Sequence, residues 1–180
     1  MLKQWGESKP LGYFIFTSNI DGQFQKAGFP EDRILECHGS IHHLQCAKPC
    51  GRLIWSAGSL AIDINMETIQ ATSPLPRCVK CDSVARPNVL MFGDSGWIED
   101  RSDEQYALYL SWLRERKGKR IVAIELGAGT AIPTVRVECE RHASTLIRIN
   151  PREPETPSNG IPIASGGLAA LRAIDECLSR

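Results

Sequence analysis

Four cysteines in two close pairs constrain this chain more than any other feature of its sequence. Cys46 and Cys50 are separated by three residues, Cys78 and Cys81 by two, and a longer excursion connects the pairs. Four thiolates on two such turns can converge tetrahedrally on one zinc ion at about 2.3 Å, which leaves no open position for catalysis. The spacing therefore predicts a structural zinc site. Disulfides, another thiophilic metal and unpaired thiols are the alternatives.

Composition gives no signal for a nucleic-acid or membrane partner. The 180 residues carry 21 basic and 21 acidic side chains, so net charge gives no indication of nucleic acid or of an anionic membrane. No apolar run approaches the roughly 20 residues that cross a bilayer, and the N-terminal residues lack the apolar core of a secretory signal. We therefore expect a cytoplasmic protein, in which close cysteine pairs bind metal more often than they form disulfides.

Short apolar strands alternate with helical segments on both sides of the cysteine-rich stretch. The sequence predicts strands at 12–17, 34–37, 89–92, 121–124 and 146–149, and helices at 23–28, 99–116 and 167–178. Residues 151–162, rich in proline, are predicted to form a surface loop. Because polar residues follow several strand ends, we expect a parallel sheet that binds its ligands beyond the carboxyl ends of the strands.

The polar loops of the chain, taken in order, resemble those of the sirtuins over nearly the whole length. The matching segments are Thr17 to Gly22, Glu36 to Ser40 with its His-Gly pair, the two cysteine pairs, Arg86 to Asp94, Gly127 to Pro133, and Ile149 with Asn150. The resemblance implies an α/β fold, with a Rossmann-like, mostly parallel NAD-binding domain at 1–43 and 86–180 and a zinc-ribbon module inserted at 44–85. It also implies an NAD-dependent protein-lysine deacetylase or deacylase. Such an enzyme acts on acylated-lysine proteins and releases nicotinamide and O-acyl-ADP-ribose.

The resemblance assigns roles to individual residues. His38 would be the general base that acts on a ribose hydroxyl, and Asn19 would orient the ribose and a water. The residues that would bind NAD are Thr17, Ser18, Asn19, Ile20, Asp21, Gly127, Gly129, Thr130 and Asn150. Those that would bind the acyl-lysine peptide are Met91, Phe92 and Gly93. The ligands of the structural zinc would be Cys46, Cys50, Cys78 and Cys81.

The sequence departs from the sirtuin pattern in four places. Ser18 stands where the family has glutamine, residues 94–97 replace a Glu-x-Leu-Pro segment, and the loop at 127–133 is one residue shorter. Sirtuins also begin with a strand and a Gly-Ala-Gly-x-Ser turn that wraps the pyrophosphate, and residues 1–12 contain nothing similar. We therefore expect a truncated chain that binds NAD poorly and has little or no activity.

Two other functions fit the same residues. One is an NAD hydrolase or ADP-ribosyltransferase that uses the same pocket, and the other is a non-catalytic binding module that keeps the zinc ribbon. Retention of both Asn19 and His38 favours an enzyme. Outside the motifs, Arg136, Arg141 and Arg152 are expected to lie on the solvated surface.

Overall fold

A computed structural model describes residues 1–48, 50–58 and 60–179 of the chain. The chain divides into two compact units. One unit consists of Met1–Tyr13 together with the chain from Trp112 onward, and the other of Phe14–Ser111. The first is called the terminal unit below and the second the central unit.

The described residues form short helices and strands in alternation. The helices are α1 (Leu2–Glu7), α2 (Gln23–Lys26), α3 (Asp100–Glu115), α4 (Thr134–His142) and α5 (Gly167–Leu178). The strands are β1 (Ile15–Thr17), β2 (Ile34–Glu36), β3 (Gly39–Cys46), β4 (Ile54–Ser56), β5 (Ile64–Asn65), β6 (Gln70–Ala71), β7 (Ala85–Val89), β8 (Val122–Leu126), β9 (Thr145–Ile149) and β10 (Gly160–Ile163). Within the described ranges, no helix combines the length and apolar character needed to span a lipid bilayer.

The terminal unit is built on a parallel sheet with the strand order β10-β9-β8. Its core contains Ile149 of β9 and Ala170 and Leu171 of α5, and Trp5 of α1 packs against this cluster. The Trp5 indole donates a hydrogen bond to the Asp175 carboxylate at 2.7 Å. Because β9 is paired on both sides, it is the natural centre of this sheet, and Leu146 and Ile149 are fully buried there.

A buried ion pair joins two strands of the terminal sheet. Glu125 of β8 is the registered neighbour of Arg148 of β9, and the guanidinium donates to the carboxylate at 2.6 and 2.9 Å. Glu140 of α4 accepts a further bond at 2.7 Å. Both members of the strand pair are about 1 % exposed. Loss of Arg148 would leave Glu125 as an uncompensated buried charge, whereas loss of Glu125 would leave Arg148 paired with Glu140 alone.

Two sequence-based predictions fail in the terminal unit. Residues 160–162 lie in β10 and not in the predicted loop. Pro162 is tolerated there because, among the described strands, this edge strand pairs with β9 alone. Arg136 was predicted to be solvated but is only 8 % exposed, since its guanidinium donates to backbone carbonyls of two loops.

The described part of the central unit contains one parallel pair of strands and two antiparallel sheets. Strands β1 and β2 are parallel, β3 lies between β4 and β7 in an antiparallel sheet, and β5 pairs with β6 as a small hairpin. All three residues of β2 are buried. The ring of Tyr109 on α3 lies against Phe14 and Phe16, with centroid distances of 5.2 and 5.7 Å. The predicted strand at 89–92 is wrong after Val89, where β7 ends and an exposed loop begins.

Candidate functional site

A pocket of about 420 Å³ lies in the central unit, beyond the carboxyl ends of the parallel strands β1 and β2. Its lining residues are Ser18, Asn19, Ile20, Asp21, His38, Val89, Leu90 and Met91. The structure thus brings together, in one concave site, six of the residues that the sequence singles out. Val89 and Leu90 also line the pocket and are not among the predicted site residues, although their position next to Met91 in the same segment is a signal for them.

The backbone on both sides of His38 is fixed by hydrogen bonds. The His38 carbonyl accepts the Leu90 N–H at 3.0 Å, and the Cys37 N–H donates to the Thr17 carbonyl at 3.0 Å. Gly39 follows with a left-handed φ of +78°, which glycine adopts without strain. His38 is therefore a half-buried side chain on a rigid turn between β2 and β3.

The buried residue Glu36 anchors the strand that delivers His38. Its carboxylate accepts a bond from Arg101 at 2.5 Å, its carbonyl accepts the Ser102 hydroxyl at 3.0 Å, and its N–H donates to Gln105 at 3.0 Å. All three partners lie on α3. The first half of that helix therefore clamps the end of β2, two residues before the imidazole.

The loop from Ser18 to Asp21 is held by short local contacts. The Thr17 hydroxyl oxygen accepts the Asn19 N–H at 3.1 Å, and the Ile20 carbonyl accepts the Ile41 N–H at 2.9 Å. The Asp21 carbonyl faces Lys26 Nζ at 3.1 Å and His42 Nε2 at 3.0 Å. Because a carbonyl can only accept, His42 carries its proton on Nε2 here. These contacts leave the Asn19 side chain exposed at the pocket.

The loop between β7 and α3, residues 90–99 and called the Met91 loop below, is held by an ion pair. Arg86 donates two hydrogen bonds to Asp94, at 2.7 and 3.0 Å, and this contact lowers the pKa of the Asp94 carboxyl below its ordinary value. Phe92 lies within the loop with 91 % of its surface exposed. Phe92 and Gly93 are not among the residues that line the pocket, whereas Met91 is.

Two buried side-chain amides, those of Asn88 and Gln45, also hold the Met91 loop. The Asn88 side chain donates to Gln45 Oε1 at 2.9 Å and to the Ile98 carbonyl at 2.8 Å, while Gln45 Nε2 donates to the Gly96 carbonyl at 2.7 Å. Both Asn88 and Gln45 are fully buried. The chain is thus tied to the β3–β7 pair on both sides of the exposed segment.

Thr17, another predicted cofactor residue, is the buried last residue of β1 and is not among the residues that line the pocket. The other predicted cofactor residues lie in the terminal unit. Gly127 follows β8 and Asn150 follows β9, so both stand at the carboxyl edge of this parallel sheet. Gly127 has a left-handed φ of +66° and donates its N–H to the Ile149 carbonyl at 3.0 Å. Asn150 is 6 % exposed, and its amide donates to the Ala128 carbonyl at 3.1 Å. Asn150 therefore links the loop that follows β9 to the loop that follows β8.

The four predicted zinc ligands converge in the central unit. The sulfur atoms of Cys46, Cys50, Cys78 and Cys81 all lie within 4.8 Å of one another. Cys46 and Cys81 are separated by 3.6 Å between sulfurs, and so are Cys50 and Cys78. A tetrahedral zinc site with bonds of about 2.3 Å requires sulfur–sulfur edges of about 3.8 Å. The spacing suits zinc and is far longer than the roughly 2.05 Å of a disulfide.

Local hydrogen bonds favour the thiolate at the second cysteine pair. The side chain and N–H of Ser83 lower the pKa of Cys81 to about 6, and the N–H groups of Lys80 and Cys81 lower the pKa of Cys78. Hydrogen bonds to the Cys81 thiol, followed by those to Cys46, raise the pKa of Cys50 to about 12. A divalent metal ion bound among the four sulfurs would lower the pKa of every ligand and convert all four thiols to thiolates. The cluster is therefore suited to a closed metal site.

Comparison of the sequence with profiles of protein families assigns the chain to a family. The profile of the Sir2 family matches residues 1–107 of the chain, a span that contains the pocket residues and all four clustered cysteines. The chain belongs to the Sir2 family.

Curated relatives of this Sir2 protein include two with different names. The "NAD-dependent protein deacylase" of Aquifex aeolicus is 25 % identical over 147 residues, covering 78 % of this chain and 51 % of the relative. A "Probable bifunctional ADP-ribose hydrolase/ADP-ribosyltransferase" of Fusarium oxysporum f. sp. cubense is 30 % identical over 133 residues, covering 68 % and 22 %. The Sir2 chain spans about half the length of its Aquifex relative.

Solved structures support the predicted fold class. The structure "Sir2 bound to acetylated peptide" matches 97 % of this Sir2 chain and 67 % of its own, with a TM-score of 0.63 and 20 % identity. At that identity the likeness establishes the fold. The Rossmann-like α/β prediction is confirmed, and the four-cysteine cluster is compatible with the predicted zinc-ribbon module. The module boundaries at 44 and 85 remain a prediction.

Proposed function

We propose that this Sir2-family protein is an NAD-dependent protein-lysine deacylase with one structural zinc ion per chain. The observation that carries the proposal is the pocket of about 420 Å³ in which Asn19, Asp21, His38 and Met91 meet. It combines a proton acceptor, polar groups and an apolar wall, as a site for a ribosyl group and an acylated side chain requires. The name of the Aquifex relative supports the same activity.

Each pocket residue has a proposed task. NAD, when bound, supplies the ribosyl group that takes up the acyl group as nicotinamide leaves. His38 removes a proton from a ribose hydroxyl, because histidine exchanges protons readily near neutral pH. Asn19 orients the ribose and a water, and Asp21 hydrogen-bonds the nicotinamide carboxamide. The well-anchored backbone around His38 supports this assignment, since a general base must be held in position.

The acyl-lysine substrate is proposed to enter along the Met91 loop. Met91 and Val89 supply an apolar wall beside His38, and an extended peptide can add its backbone to such an exposed segment as a strand. Phe92, with its ring almost fully exposed, is available to contact the peptide outside the pocket. The substrate class is therefore an acylated-lysine protein or peptide.

The zinc ion is proposed to be structural, because the cluster offers four sulfur ligands and a closed coordination sphere. Between the two cysteine pairs, the described residues at 57–58 and 60–77 form the β5–β6 hairpin and loops, which fits a module that a metal holds together. A cytoplasmic location, where thiols stay reduced, suits the cluster.

Product analysis tests the proposed activity. The purified chain would be incubated with NAD and an acetyl-lysine peptide, at a protein concentration equal to that of each substrate, so that even one turnover per chain gives measurable product. Mass spectrometry would then follow nicotinamide, deacetylated peptide and O-acetyl-ADP-ribose. Formation of all three products, only when the acetylated peptide is present, is the expected result. Absence of O-acetyl-ADP-ribose under these conditions would refute the proposal.

A second candidate is an NAD hydrolase or ADP-ribosyltransferase, which the name of the Fusarium relative supports. The same incubation distinguishes it. A hydrolase releases nicotinamide and free ADP-ribose without any acetylated peptide, and a transferase leaves ADP-ribose covalently attached to protein. Deacetylation separates the first candidate from both, because neither alternative removes the acetyl group.

A further inference from the structure

The hydrogen-bond donors of Thr130 are occupied by a carboxylate of the same chain. The Thr130 N–H donates to Glu153 Oε2 at 3.1 Å, and the Thr130 hydroxyl donates to Glu153 Oε1 at 2.5 Å. These contacts, with smaller contributions from Arg136 and Arg152, lower the pKa of the Glu153 carboxyl. Glu153 therefore sits on this donor pair as an anion at neutral pH.

The position of Glu153 is set by a built frame. The Asn150 Oδ1 accepts the N–H groups of Arg152 and Glu153, at 2.9 and 3.1 Å. Arg136 Nη1 donates to the carbonyls of Ala128 and Glu153, both at 3.1 Å. Asn150 and Arg136 are both largely buried, so the loops after β8 and β9 are fastened to each other beneath the carboxylate.

The occupied donors belong to the loop that the sequence assigns to cofactor binding. A backbone N–H and a hydroxyl on a glycine-rich turn are donors of the kind that bind phosphate oxygens. Gly129 lies directly beside the carboxylate, because a Cβ atom there would be in van der Waals contact with Glu153 Oε2 at 3.5 Å. The same two donors cannot serve a carboxylate and a phosphate at once.

We propose that Glu153 is an internal competitor for the anion-binding donors of Thr130 and thereby sets the affinity for a phosphate-bearing ligand. This inference rests on the proposed function, which supplies the class of ligand. That class is a nucleoside diphosphate sugar. The ligand binds at Thr130 only when the Glu153 side chain turns away. Arg136 and Asn150 hold the backbone of the loop, so this change needs a side-chain rotation alone.

Neutralising Glu153 tests the competition. The probe is ADP-ribose, and its dissociation constant would be measured by calorimetry for the wild-type chain and for Glu153→Gln. Because a hydrogen bond to a charged group contributes more than a neutral one, the variant is expected to bind about tenfold more tightly. Glu155→Gln is the matched control: it removes the same charge from an exposed side chain two residues away, and its affinity should stay within about twofold of wild type. Unchanged or weaker binding by Glu153→Gln would overturn the proposal.

A second measurement needs no ligand. The pKa of Glu153 would be determined by carboxyl-resolved NMR in the wild type and in Thr130→Val, which removes the hydroxyl donor at nearly constant volume. The pKa is expected to rise toward the ordinary value for glutamate in the variant. An unchanged pKa would mean that the contact with Thr130 does not hold Glu153, and the proposal would fail.

The outcomes also separate this inference from the proposed function. Tighter binding of ADP-ribose by Glu153→Gln, with no O-acetyl-ADP-ribose formed by the wild type, would keep the competitor and refute the deacylase. Formation of O-acetyl-ADP-ribose by the wild type, with no effect of Glu153→Gln on ADP-ribose affinity, would support the deacylase and refute the competition by Glu153. If neither protein binds ADP-ribose, the competitor is refuted and the deacylase stands or falls by product analysis.

Discussion

Gly39 and Asn88 approach so closely that a Cβ atom at position 39 would lie 2.1 Å from the Asn88 carbonyl oxygen. The two residues belong to neighbouring antiparallel strands, and Asn88 pairs with Ser40 in the register. The contact lies one residue after His38 and fixes the turn that presents the imidazole. A glycine at position 39 is therefore required both by the left-handed φ of +78° and by the space available.

Replacing Gly39 by alanine should destabilise the central unit. We expect a loss of unfolding free energy of roughly 1–3 kcal/mol from backbone strain alone, with more from the clash with the Asn88 carbonyl. Chemical denaturation measures it. Gly118→Ala is the matched control, because Gly118 has the same φ of +78° but no neighbouring atom within 4 Å of its Cβ position. Equal losses in the two variants would show that the clash adds nothing.

The cysteine cluster should bind one zinc ion and depend on it for stability. Cys78→Ser removes a thiolate from the four that converge within 4.8 Å, and we expect the zinc content to fall from one per chain to near zero. The melting temperature should fall with it, because metal binding contributes folding free energy. Elemental analysis and thermal unfolding measure both. Cys177→Ser, which alters an exposed thiol outside the cluster, should keep its zinc; a zinc content that is the same in both variants would contradict the assignment.

The Arg86–Asp94 pair should make stability depend on pH in the acid range. Because Arg86 lowers the pKa of Asp94 in the folded chain, the pair stabilises the fold fully above the unfolded pKa of about 3.9. This stabilisation is lost as the pH falls through the lower, folded pKa. Asp94→Asn should therefore be less stable than wild type at pH 7, and the difference should vanish in acid. Unfolding free energies across this range test it, with the exposed Asp63→Asn as control; a difference that persists at the acid limit would assign the effect to packing.

Sequence reasoning predicted that several candidate residues follow strand ends, and the structure has them at those positions. Asn19, His38 and Asn150 each follow an apolar run, and their positions follow from the strand period and the direction of a parallel pair. The cysteine cluster could be predicted for a similar reason, since two short spacings bring four sulfurs onto two turns. In these cases the signal was local in the sequence.

The features that sequence reasoning missed depend on contacts between distant segments. Arg136 is buried because carbonyls of the loops at 128 and 153–155 surround its guanidinium, and nothing in its own helix indicates this. Strand β10 escaped prediction because Gly160 and Pro162 are typical of loops, yet an edge strand accepts both. The bond between Thr130 and Glu153 likewise joins residues 23 positions apart in the chain.

The most direct test of the account is the effect of His38→Ala on acyl-dependent nicotinamide release. Loss of a general base typically lowers a rate by about 10²- to 10⁴-fold, and we expect a loss of this size with zinc content and circular dichroism unchanged. His142→Ala, which alters a histidine of α4, should retain the wild-type rate. A His38→Ala variant that forms O-acetyl-ADP-ribose as fast as wild type would contradict the central claim.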